Sequence, residues 1–160
     1  MFLRKKEKKI QHPAAGLIIF AILVVMAVGV KLWQRYYYPT VTFALKGQTL
    51  HLLLADTPAR QFLGLGKRDS LGNADGMLFI FPDPKQYGFV MRDMRFSIDI
   101  IWLSQGKVVD IAPNLPLEPG ASEAQLRVYY PRDVANAVIE FPAGWANQHG
   151  LAIGDQLTSL

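Results

Sequence analysis

With 160 residues, the chain has room for one core of useful size and one short additional segment, so a second domain is excluded. Its net charge of +4 is unevenly placed: residues 1–38 carry seven Lys and Arg against one acid, 7 − 1 = +6, and residues 39–160 carry ten against twelve, 10 − 12 = −2. The larger part therefore lacks the electrostatic term that nucleic-acid binding requires, and the absence of cysteine excludes disulfides, thiolate metal sites and cysteine nucleophiles.

The chain opens with Arg4, Lys5, Lys6, Lys8 and Lys9, followed by seventeen uncharged residues from Ala14 to Val30. Leu32 and Trp33 prolong the apolar run past Lys31. About twenty apolar residues cross a bilayer, and a basic cluster before the span holds that side in the cytoplasm. The expected organisation is a basic cytoplasmic tail over 1–12, a transmembrane helix with an interfacial aromatic segment over 13–38, and an extracytoplasmic domain over 39–160. Residues 14–33 would sit in the lipid, with Trp33, Tyr36, Tyr37 and Tyr38 at headgroup level. Ala27 and Gly29 have the spacing a signal peptidase accepts, but the span is longer than an ordinary signal core, so an uncleaved anchor of the inner membrane is expected.

Thr40–Leu45 and Gln48–Leu54 read as strands around a Lys46-Gly47 turn. Thr57-Pro58 is a helix start, and Gly64 and Gly66 limit that helix to about two turns. Met77–Phe81, Tyr87–Met91 and Phe96–Leu103 read as buried strands, with turns at Pro82-Asp83-Pro84 and Gln105-Gly106. Lys107–Ala112 pairs with the last of them. A Pro- and Gly-containing loop over 113–125 is long enough to be a lid or rim. Leu126–Tyr130 and Ala137–Phe141 are further strands, Ala143–His149 a short helix, and Gln156–Leu160 a final strand. The expected fold is β-rich, all-β or α+β: a small antiparallel or mixed barrel with two short helices after the transmembrane one.

Several segments together resemble a known family. These are Arg60-x3-Gly64-Leu65-x2-Arg68, Gly76-Met77-Leu78-Phe79-x-Phe81, Met91, Ile98-Asp99-Ile100-Ile101, Ala137-Val138-Ile139-Glu140, Ala143-Gly144 and Ile153-Gly154-Asp155. In this order they resemble the domain of unknown function 192 over nearly all of 40–160. The resemblance implies a compact β-rich domain, often secreted or tethered, and no established activity. Gly66 stands where relatives commonly carry Met, Asp93-Met94 where they carry Asn-Thr, and Ser97 where they carry Pro.

Asp99 is the most informative polar residue, because alternation places it beside Ile101 and Leu103 in an apolar strand. A carboxylate there needs Arg60, Arg68 or Arg92, or several backbone donors. One reading makes Asp99, Arg92, Asp93, Arg60 and Arg68 a polar cleft, and the other makes Asp99 a structural anchor. Glu140, near a strand end, is expected on a solvated face. Met77, Met91 and Met94 with His51 or His149 have copper(I)-type ligands but no repeated spacing, so core packing is expected. No serine elbow or phosphate loop occurs, and no cofactor or metal is expected. Trp145, with Tyr129 and Tyr130, is the expected partner surface. The expected function is binding of an envelope polysaccharide or a membrane protein, and the alternative is a hydrolase acting on glycan around Asp99.

Overall fold

The computed structural model describes the backbone of residues 13–160 and the side chains of 16–30 and 37–160. The basic tail at 1–12 lies outside the described residues. Helix α1 runs Pro13–Tyr36. Its described side chains, from Gly16 to Val30, are exposed. Among the described residues no helix is long and apolar enough to cross a membrane. Those side chains span fifteen positions, and the anchor expected over 14–33 reaches past them at both ends.

The second compact unit, Tyr38–Leu160, is built on strands β1 (Thr40–Leu45), β2 (Gln48–Ala55), β3 (Gly76–Lys85), β4 (Ile98–Ser104), β5 (Lys107–Leu115), β6 (Ala135–Pro142) and β7 (Thr158–Ser159). Two short helices, α2 (Pro58–Leu63) and α3 (Trp145–Gln148), complete it. The strands form one curled sheet in the order β5-β4-β6-β3-β2-β1-β7. A Lys107–Gln156 bridge ties β5 to the segment before β7, so the sheet curls toward a barrel.

Local chemistry explains the joints. Lys46 and Gly47, at φ 52° and 74°, both adopt the positive φ that a two-residue hairpin turn requires, and Gln105 and Gly106 repeat it between β4 and β5. Thr57 caps α2 by accepting from the Arg60 N–H at 3.4 Å, and Pro58 occupies the first turn. Strands β2 and β3 run parallel, so the chain between them must cross over, and α2 lies within that crossover.

Both faces of the central strands are covered. Along β4, Ile98, Ile100 and Trp102 join one core with Met77, Phe79 and Val138. Ile101 and Leu103 join a second with Leu45, Leu52, Leu78 and Phe141. Burial on both faces explains why β4 reads as a continuous apolar run.

Several expectations need correction. Pro82-Asp83-Pro84 is not a turn between strands: it lies within β3, where pairing with β6 shifts register between Ile80 and Lys85. Prolines withdraw donors from a ladder, and a bulge absorbs the loss. Tyr87–Met91 and Leu126–Tyr130 are not regular strands but meet through a single Phe89–Tyr129 bridge. Tyr38 belongs to the core and not to a headgroup belt. It is 8% exposed, its hydroxyl donates to the carbonyls of Arg60 and Gly64, and the Arg68 guanidinium lies 4.7 Å from its ring centre.

Candidate functional site

Asp99 is fully buried, and its partners are backbone amides. Oδ1 accepts from the N–H groups of Asn114 at 2.8 Å and Gly144 at 3.0 Å, and Oδ2 accepts from Ala146 at 2.8 Å. The carboxylate thus fastens β4 to the end of β5 and to the turn that opens α3. Saturated by donors, it has the geometry of a structural anchor.

The proposed arginine cleft is dispersed. Arg60 pairs with Asp56 at 2.6 Å, and Arg68 lies over Tyr38. Arg92 donates to both carboxylate oxygens of Glu123 and, at 2.9 Å, to the Phe62 carbonyl. Asp93, exposed at φ 53°, pairs with Lys67 at 3.4 Å. Arg60 and Arg68 therefore meet at Tyr38, Arg92 and Asp93 are chain neighbours at a rim, and none of these arginines bonds to Asp99. Of the aromatic surface, Trp145 is stacked between Phe141 at 4.0 Å and His149 at 4.2 Å. Tyr129 carries Arg127 over its ring, and Tyr130 alone of the three is largely exposed. Met77 and Met91 are buried in the core.

The structure instead draws attention to Glu140. Main-chain pairing places it on β6 between Met77 of β3 and Ile100 of β4. It is only 4% exposed, and the solvated face expected for it is a buried one. Both faces of β6 are covered from Ala137 to Phe141, so alternation gives no solvated position within that stretch. Its Oε2 has no hydrogen-bond partner. Burial pushes the carboxyl up to about 8, only partly offset by a hydrogen bond from the Leu65 backbone N–H. At neutral pH the group is therefore mainly protonated.

Glu140 lines a pocket of about 270 Å³ beside Phe79, Phe81, Tyr87, Phe89 and Met94. Phe81 stacks on Tyr87 with ring centres 3.7 Å apart, and Phe89 meets Phe79 edge-on at 5.0 Å. The pocket is further lined by residues 62–66, which run from the last turn of α2 into the segment after it, and by Arg92. Gly64 adopts φ 51°, ψ −137°, a conformation open essentially to glycine alone, and a Cβ there would lie 3.8 Å from Glu140 Oε2. Gly66 is equally constrained, because a Cβ would come within 2.8 Å of the Arg92 carbonyl. A larger residue such as Met at this position would have no room here. A second depression of about 570 Å³ lies beyond Arg92 and Met94, bordered by residues 118–121 and Glu123. The loop foreseen at 113–125 begins later, since β5 continues to Leu115.

A buried acid with one bare oxygen among aromatic rings has no signature in the sequence, although its parts stand in the quoted motifs: Gly64-Leu65, Phe79-x-Phe81 and Ala137-Val138-Ile139-Glu140. The family model described as DUF192, an uncharacterized ACR, matches residues 41–159. The chain belongs to the DUF192 family. No curated protein matches it. Among solved structures, this DUF192 chain is similar to a protein of unknown function from Novosphingobium aromaticivorans, at 28% identity and a TM-score of 0.65. The match covers 74% of this chain and 84% of that one. It is also similar to a putative transcription regulator from Sinorhizobium meliloti, at 25% identity and a TM-score of 0.65, covering 75% of this chain and 93% of that one.

Proposed function

We propose that residues 38–160 of this DUF192 protein form a small-ligand-binding domain whose site is the Glu140 pocket, and that residues 14–33 tether it to the outer face of the inner membrane. Its ligand would then be a component of the envelope. One observation carries the binding reading: Glu140 Oε2 is buried without a partner at an aromatic pocket. Burying a polar atom unpaired is costly for folding, and a pocket joining apolar walls to a few polar groups is the usual form of a small-molecule site. The tether is supported by the uncharged run at 14–30 and the basic cluster before it.

The alternative, a hydrolase built on Asp99, has little to stand on, since three backbone donors occupy that carboxylate. A regulator reading borrowed from the Sinorhizobium relative finds no electrostatic support either, given the −2 balance of residues 39–160. The binding reading is tested by NMR on the full chain with a library of soluble fragments of roughly ten heavy atoms, a size suited to a pocket of about 270 Å³, since an apolar cavity of about 150 Å³ already holds benzene. Some fragments should perturb the backbone amides of Gly64, Leu65 and Gly88 together. A library that leaves all three unmoved overturns the reading.

A further inference from the structure

The pocket pairs two features that seek the same complement. Oε2 of Glu140 is an oxygen without a donor, and the surrounding rings present π-electron density, which attracts cations. The remaining charge at the rim is already engaged: the Arg92 guanidinium lies 4.2 Å from the Phe62 ring centre and is bound to Glu123. An organic ammonium ion with an apolar substituent satisfies all of this at once. Its N–H donates to Oε2, its charge meets the carboxylate, and its hydrocarbon lies against Phe79, Phe81 and Phe89.

We infer that the Glu140 pocket is a receptor for a small organic ammonium ion, taken up in exchange for the proton of the Glu140 carboxyl. This rests on the ligand-binding reading above and names its ligand class. The step balances as carboxylic acid plus ammonium giving a carboxylate–ammonium pair and one proton released to solvent. With the carboxyl titrating at about 8, roughly 0.9 of a proton leaves per ligand bound at pH 7.

The groups that bear on this titration are few. Tyr38 lies close enough to feel the Glu140 charge, and Arg68 and Arg60 act on Tyr38 in turn. Tyr87 and Arg92 line the same pocket. From the flanking strands, Met77 and Ile100 stand opposite Glu140, and neither titrates. Asp99 bonds to the amides of Asn114, Gly144 and Ala146 on the other core's side.

The experiment is isothermal titration of the full chain with benzylammonium and n-butylammonium, beside the neutral probes benzamide and benzyl alcohol, in buffers of different ionisation enthalpy. Alkylammonium ions stay charged well above pH 8, so the ligand's charge is fixed across the range. The ammonium probes should bind about fifty-fold more tightly at pH 8 than at pH 6, as the competent carboxylate fraction rises. Proton release at pH 7 should approach one, and Glu140→Gln should abolish ammonium binding. The wild-type proton count stands as a separate readout should that variant fold poorly. Ammonium binding without proton release, or with no pH dependence, overturns the inference. Benzamide or benzyl alcohol binding in place of the ammonium ions also overturns it, yet leaves the pocket itself standing. If neither class binds, the inference falls, and the NMR screen then decides whether the pocket falls with it.

Discussion

Glu140 and Asp99 show how one residue type takes opposite roles within one sheet. Both are carboxylates on central strands, both are buried, and only the number of donors separates them. Asp99 has three backbone N–H groups, whereas Glu140 leaves an oxygen bare. Stability should therefore depend on pH through Glu140. Its folded value of about 8 lies above its ordinary 4.5, so the native state holds the proton more tightly than the unfolded chain. The resulting stabilisation is full below about 4.5 and declines as pH rises toward 8. Urea titration of Glu140→Gln against wild type should show a difference near zero at pH 4.5. At pH 8.5 the variant should be more stable by about 3 to 5 kcal/mol. The sequence made Asp99 conspicuous, as the one charge in the run Ile98–Leu103, and its structural role was foreseen as one of two readings. Glu140 stayed hidden because a carboxylate near a strand end ordinarily faces water, and only the covering segments at 62–66 and 86–94 reverse that.

Elements were more legible than sites. The Lys46-Gly47 and Gln105-Gly106 turns, the Thr57 cap and the strand cores announced themselves because their signals are local: positive φ, a capping hydroxyl, a continuous apolar run. The failures were non-local. Tyr87–Met91 has strand composition, yet a ladder requires a partner in register, and only Phe89 has one, in Tyr129. The parallel pairing of β2 with β3 is set by the crossover and has no signature within either strand. Asp99 exerts its effect at this scale by joining β4, the end of β5 and the α3 turn. Asp99→Asn replaces an acceptor oxygen with a donor facing backbone N–H groups. It should cost about 2 to 4 kcal/mol of unfolding free energy in urea titration, with ammonium affinity at the Glu140 pocket unchanged in the fraction that folds.

For the whole molecule, composition alone separated a basic, apolar leading segment from a mildly acidic domain, and the compact unit Tyr38–Leu160 falls close to that division. Tyr38 falls on the domain side of it and not with the apolar span, because an aromatic residue next to such a span has the same composition whether it meets lipid or its own core. If residues 14–33 tether the chain as proposed, the full-length protein should stay with the membrane pellet through a carbonate wash. A chain beginning at Tyr37 should appear in the supernatant. Recovery of the full-length protein in the wash would remove the tether while leaving the pocket intact.

The sheet joins its first strand to its last. Strand β1 pairs with β7, Phe43 opposite Ser159, a separation of 159 − 43 = 116 positions. During synthesis the hairpin of β1 and β2 can form early, but the far side of β1 finds its neighbour only once Thr158 and Ser159 have been made. A sheet so arranged stays open along that edge until the whole interval has been made, and pairings of such long range are slow to form. The β1–β7 edge therefore closes late in the folding of this domain, after the hairpin of β1 and β2 has already formed.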